Sequence, residues 1–123
     1  MKNFLLALVL AIGASCVGSS QSYSSENIGD ATRIVIERHD DYVTDDEQLD
    51  EPTREQCLGE SYKLKGLLQT APIPADLFRN AAEPVMDRYD QYVRNDVDLS
   101  APVQVRYLRT TTLLRKLLNL SAK

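Results

Sequence analysis

Two stretches of the chain share one hydrophobic rhythm. Val35, Ile36, His39, Tyr42, Val43 and Asp46 fall at three- and four-residue spacing, and Val85, Met86, Tyr89, Tyr92, Val93 and Asp96 repeat the pattern fifty positions later. Apolar positions at that spacing line one face of an α-helix, so each stretch is predicted to be helical. A second pair follows the same rule: Cys57, Leu58, Ser61, Leu64, Leu67 and Leu68, then Tyr107, Leu108, Thr111, Leu114, Leu117 and Leu118. Short acidic loops at 46–50 and 96–100 separate the helices of each pair, with Leu49 or Leu99 just before the next cap. Asp50 and Ser100 are suitable N-caps, and Pro52 and Pro102 fall in the first turn, where a missing N–H is tolerated. Upstream, Asp30 is predicted to cap the first helix. Asn80 with Glu83 forms a capping-box pattern for the third, which places Pro84 in its first turn. Residues 75–79 are expected to form a short extra turn that lays Leu77 and Phe78 over the core.

The two pairs are copies of one unit. Aligning 31–68 with 81–118 needs no gap and gives 13 identities in 38 positions. Several exchanges keep size or polarity, among them His39 to Tyr89 and Lys65 to Arg115, and Asp30 to Asn80 just before the aligned window. A duplicated helix–loop–helix unit predicts an all-α fold, two tandem helical hairpins with a repeat period of 50 that form a four-helix bundle-like domain. One hairpin buries too little surface to be stable by itself, so the two are expected to share a core through the linker 69–74. The expected organisation is an export signal at 1–16, a flexible Ser-rich tether at 17–29 and a helical repeat domain at 30–123, with copies at 30–69 and 80–119.

The N-terminal segment differs from the rest. Lys2 precedes the apolar run Phe4 to Ile12, which ends in Gly13-Ala14-Ser15-Cys16. A basic residue, an apolar stretch and small residues in that order form an export signal. Nine apolar residues are far short of the roughly 20 that a spanning helix needs. Small residues before Cys16 fit a bacterial lipobox, although the place three residues before the cysteine holds Gly13 rather than Leu. Lipidation at Cys16 would anchor the chain at the bacterial cell envelope, facing the periplasm, and the Ser-rich tether would let the domain stand clear of the membrane. Cleavage within residues 17–20 would discard Cys16 and release a secreted protein.

Charge narrows the partners. The chain carries 14 Lys and Arg against 18 Asp and Glu, for a net charge of −4. Such an acidic balance argues against non-specific nucleic-acid binding. Residues 21–70 hold 12 acids and 5 bases, and residues 71–123 hold 6 acids and 8 bases, so the copies are electrostatic complements. With Cys16 lipidated or removed, Cys57 is the one remaining thiol. Its counterpart is Tyr107, which marks the position as apolar core rather than a reactive site.

The candidate functional residues are Arg38, Asp40 and Tyr42, repeated as Arg88, Asp90 and Tyr92. Arg and Tyr four apart share a helix face and can stack, and Asp46 or Asp96 lies one turn further, within reach of the Tyr hydroxyl. These groups are expected at the hairpin interface, with partner binding as the other role; Asp40 falls on a different face from Arg38. Arg106, Arg109 and Lys116 form a basic stripe on the last helix that could meet acidic lipid head groups or an acidic partner. No metal site or cofactor is expected: helical di-metal sites need a second His, and the acidic loops lack the Gly and Glu of a calcium-binding loop. No catalytic residue is expected either, because phosphate loop, nucleophile elbow and second His are all missing from the sequence.

The repeated runs Arg-His-Asp-Asp-Tyr-Val at 38–43 and Arg-Tyr-Asp-Gln-Tyr-Val at 88–93, with Tyr-Leu-Arg-Thr at 107–110 before Leu113 and Leu114, resemble small exported helical proteins of tailed phages and prophage-like regions. The resemblance covers most of residues 30–118. It implies work at the host envelope, such as lysis-stage membrane action or exclusion of competing phages. A spanin is not implied, because long heptads and a Pro-rich partner segment are missing. The sequence therefore favours a non-catalytic binding protein, envelope-tethered or secreted. Its expected partner is an envelope protein or a membrane surface, with neither nucleic acid nor a small-molecule substrate. A lysis, membrane-remodelling or superinfection-exclusion factor is the alternative, and a eukaryotic secreted protein, for which Asn119-Leu120-Ser121 would be a glycosylation triplet, is a third reading.

Overall fold

The computed structural model describes residues 22–23 and 25–120. Four helices make up nearly all of it: α1 (Ser25–Asp45), α2 (Glu51–Leu68), α3 (Ala75–Asn95) and α4 (Ala101–Leu117). Two-residue strands β1 (Ser22–Tyr23) and β2 (Ile73–Pro74) pair antiparallel, with Tyr23 opposite Ile73. The fold is all-α, two helical hairpins packed as a four-helix bundle-like domain. No helix among the described residues is long and apolar enough to cross a membrane.

Both long helices start earlier than their cap signals suggest. Asp30 is the sixth residue of α1 and does not cap it, so residues 25–29, assigned to the tether by composition, are helical. Asn80 and Glu83 likewise lie inside α3, which makes Pro84 an interior proline. The cause is the buried stripe. Ile28 and Phe78 occupy equivalent places one turn upstream of Ala31–Thr32 and Ala81–Ala82, and burying them extends each helix. Leu77 points outward instead of covering the core. Pro84 is tolerated because it sits on the exposed side, where water can satisfy the carbonyl left without an N–H. Asp76 and Arg79, 2.6 Å apart, further support the added turn. Residues 1–21, where the sequence predicts an export signal, Cys16 lipidation and most of a tether, lie outside the described residues.

The hairpin loops behave as the sequence suggests. Asp46 and Asp96 each accept a hydrogen bond from the backbone N–H two residues on, at 3.0 Å. Asp50 caps α2 by accepting from the Thr53 N–H, which holds its carboxyl below the usual range, whereas Ser100 caps α4 without a side-chain bond. Arg54 donates to the carbonyls of Val43, Asp46 and Leu49, and Gln104, its counterpart, donates to those of Val93 and Arg94. These side chains satisfy carbonyls that helix ends leave without partners. Asn119, in the left-handed conformation with φ 59°, ends α4 and lets the Leu120 N–H reach the Arg115 carbonyl at 2.8 Å.

α1 and α3 form the centre of the bundle. Each packs against all three other helices, while α2 and α4 lie on opposite sides and have little contact with each other. Arg38 meets Tyr89, His39 meets Arg88, and Tyr42 stacks on Tyr92, so the two central helices run in the same direction. The two copies are therefore related by a pseudo-twofold axis parallel to the helices, which the Tyr23–Ile73 pairing also straddles. The shared core includes Val35, Ile36, Leu64, Phe78, Val85, Met86, Tyr89, Val93, Leu114 and Leu118. Cys57 is buried, as expected of a core residue.

Candidate functional site

The repeated Arg, Asp and Tyr residues meet along the seam between α1 and α3. Stacking of Arg38 on Tyr42 does not occur. The Arg38 guanidinium lies over the Tyr107 ring, 3.8 Å from its centroid, and donates to the Tyr89 hydroxyl at 3.1 Å. Tyr42 instead stacks face to face on Tyr92, with centroids 5.2 Å apart and planes within 4°. The tyrosine hydroxyls cross between the copies: Tyr42 donates to Asp96 at 2.7 Å and Tyr92 donates to Asp46 at 2.8 Å. Burial, then donation to a carboxylate, pushes the Tyr92 hydroxyl up to about 12 and that of Tyr42 higher still. Burial also raises Tyr89, with the Arg38 guanidinium opposing it.

In the other half of the seam Arg88 reaches His39, the counterpart of Tyr89, but makes an ion pair with Glu60 in place of the stack on Tyr107. Arg88 donates to His39 Nε2 at 3.1 Å and to Glu60 at 2.7 Å. His39 Nδ1 lies 2.9 Å from Asp40, so the proton sits on Nδ1 and both ring nitrogens are satisfied. His39 is wholly buried.

Away from the seam the copies diverge. Asp40 accepts from Ser61 at 2.6 Å and Asp90 accepts from Thr111 at 2.6 Å, which are equivalent bonds. In the second copy Arg115 adds bonds to Asp90 at 2.6 Å and Asp87 at 2.7 Å, leaving the side chains of Arg115 and Asp90 5% and 3% exposed. In the first copy the position of Arg115 is Lys65, which is exposed, and the Asp40 side chain remains 34% exposed. Lys65 instead lines a groove of about 450 Å³ with Arg33, Glu37, Asp40 and Asp41.

A second candidate lies between α1 and α4. Ala31, Ile34, Leu113 and Leu117 floor an open groove of about 470 Å³, rimmed by Asp30, Arg106 and Arg109. Ile34 is 40% exposed and Leu113 50%, and the two share this groove, which makes a patch rather than scattered apolar side chains. Arg106 and Arg109 are exposed. Lys116 does not share this groove; it lines a separate depression with Asp90, Arg94 and Arg115, because it sits at the far margin of the stripe on α4.

The nine residues singled out for partner binding thus divide. Arg38, Tyr42, Arg88, Asp90 and Tyr92 hold the copies or hairpins together, and Asp40 does so through His39 and Ser61 while facing a groove. Arg106 and Arg109 are left on an open face, and Lys116 stands apart. Ile34 and Leu113 on that face and Arg115 in the core belong to the site as well, and the repeated spacing and composition do not single them out. Apolar residues on the solvent side of an otherwise amphipathic helix were the available signal for the first two. Comparison with protein-family models, with curated proteins and with solved structures finds no match for this chain. Architecture alone therefore defines its class, an all-α protein built from two fused copies of one hairpin.

Proposed function

We propose that this chain is a non-catalytic helical binding protein, exported and held at the cell envelope through Cys16, that presents its α1–α4 face to a partner. The observation that carries this reading is the division of polar groups. The repeated Arg, Asp and Tyr side chains are engaged with one another, whereas the α1–α4 face offers exposed Ile34 and Leu113 beside Arg106 and Arg109. Apolar surface rimmed by charge is characteristic of a protein contact surface. A lysis, membrane-remodelling or superinfection-exclusion factor is the second reading. It is favoured by the exposed side of α4, which carries Arg106, Arg109 and Lys116 and no acidic residue.

Expression of the full chain in a bacterial host separates the two. The binding reading expects undisturbed growth, recovery in the membrane fraction, and an intact mass that fits a chain starting at an acylated Cys16. Growth arrest or lysis on induction would replace it with the second reading. A soluble periplasmic product starting near Gly18 or Ser19 would remove the lipid anchor and leave a secreted binding protein.

A further inference from the structure

We infer that the partner of the α1–α4 face is a second copy of this chain, docked about a twofold axis that runs along the groove. The inference rests on the binding reading above and names its partner. Its basis is charge. On the open side of the face α1 presents Asp41 and Asp45, together with Asp30, which Arg33 one turn on meets at 3.5 Å in an exposed pair, while α4 presents Arg106 and Arg109 and carries no acid. One molecule thus offers an acidic helix and a basic helix side by side, with Ile34 and Leu113 exposed between them.

Symmetry decides what such a surface fits. A twofold contact is isologous, so the patch must complement itself. An axis across the groove would set acidic α1 against acidic α1. An axis along the groove sets α1 of each copy over α4 of the other, acid against base on both sides. That rotation preserves the level along the bundle. Within one molecule Arg38 lies level with Tyr107, and Ile34 shares the groove with Leu113. In the dimer Asp41 therefore comes level with Arg106 of the other copy, and the two pairs of Ile34 and Leu113 close on each other. An anionic membrane would meet the same bases but also the acids of α1, which repel it.

Size sets the expected strength. A two-helix face about 25 Å long and about 20 Å wide offers on the order of 500 Å² per copy, the scale of a weak, concentration-dependent dimer. The test is sedimentation of the mature protein with Cys16→Ser, which keeps acyl chains off, from about 1 to 300 μM. A monomer–dimer equilibrium is expected, weaker at about 0.5 M salt than at about 0.05 M. The variant Arg106→Glu/Arg109→Glu and the variant Asp30→Lys/Asp41→Lys should each self-associate about a hundredfold more weakly, since every reversal occurs twice per dimer. Mixed together they should pair, because each supplies the charge the other lost. All four positions are exposed, and unchanged helicity would confirm folding.

A monomer throughout that range, or variants that fail to pair when mixed, overturns the dimer. Monomeric protein that binds anionic vesicles through Arg106 and Arg109 overturns it in favour of a lipid surface. Host lysis in the expression experiment would instead defeat the binding reading, whatever the sedimentation shows.

Discussion

The two halves of this molecule solve one packing problem in two ways. In the second, Arg115 closes the polar cluster between α3 and α4 by clamping Asp87 and Asp90, and the carboxylate of Asp90 is shut away from water. In the first, Lys65 stays in solvent, and Asp40 shares its charge with Ser61 and His39 while remaining partly open. Nearest the axis the copies agree: Tyr42 and Tyr92 reach across it to Asp96 and Asp46, and Arg38 and Arg88 to the equivalent positions Tyr89 and His39, although Arg38 also lies over Tyr107 and Arg88 pairs with Glu60. Duplication thus constrains the residues near the axis more than those between the helices of one hairpin. Near the axis every change alters a contact with the other copy, whereas the outer positions can drift.

The largest effect should come from separating the halves. A chain ending at Gln69 loses α3, which exposes Val35, Ile36, Leu64 and Leu68, and it is expected to show no cooperative urea transition as a monomer. A sharp, reversible melt of that fragment as a monomer would mean that each copy is a domain by itself.

Next comes the clamp. Arg115→Met removes the cation from a buried pair and should cost about 3 to 5 kcal/mol in urea unfolding, while Lys65→Met should change stability by no more than about 0.5 kcal/mol. Equal costs at the two positions would show that the halves are not differently locked.

The stacked tyrosines sharpen the comparison through pH. Their hydroxyls ionise near 10.0 when free and only at about 12 for Tyr92, and above that for Tyr42, in the folded protein. A raised pKa of this kind contributes stability below the free value, and that contribution declines as pH climbs from the free value towards the folded one, because the unfolded chain loses its protons first. Urea midpoints should hold steady up to about pH 9.5 and fall from about 10 to 12. The double variant Tyr42→Phe/Tyr92→Phe should fall less steeply in that window, with Tyr89 still contributing. An unchanged alkaline slope would assign the effect to other groups.

The smallest expected effect has the opposite sign. Thr32 is fully buried with its hydroxyl unbonded, where the other copy has Ala82. Thr32→Val removes that orphaned hydroxyl and should stabilise the protein by about 1 kcal/mol. A loss of stability would show that the hydroxyl has a partner in solution.

The duplication, the four helices and the acidic turns were legible because they are set by local spacing and by residues such as Asp50, Pro52 and Pro102. The starts of α1 and α3 were not. Asp30 and Asn80 look like caps, and a single apolar residue upstream, Ile28 or Phe78, is a weak signal until its burial is known. The site was half legible. The Arg, Asp and Tyr residues were singled out, but spacing along one helix suggests partners within the copy, while the bonds from Tyr42 to Asp96 and from Tyr92 to Asp46 depend on two central helices lying side by side in the same direction. Lys65 and Arg115 read as a mild exchange, since sequence does not reveal which of two cations will be enclosed.

Because the pseudo-twofold axis runs parallel to the helices, the link from α2 to α3 has a rotated equivalent, which would run from the end of α4 to the start of α1. The described chain ends at Leu120 and begins at Ser22 on that same pole, where Ala31 and Leu117 line one groove. The order of the two hairpins along the polypeptide is then nearly arbitrary. A circular permutant that opens the chain at Thr70 and joins residue 120 to residue 22 through a short linker should reach the same packing, with the second copy made first.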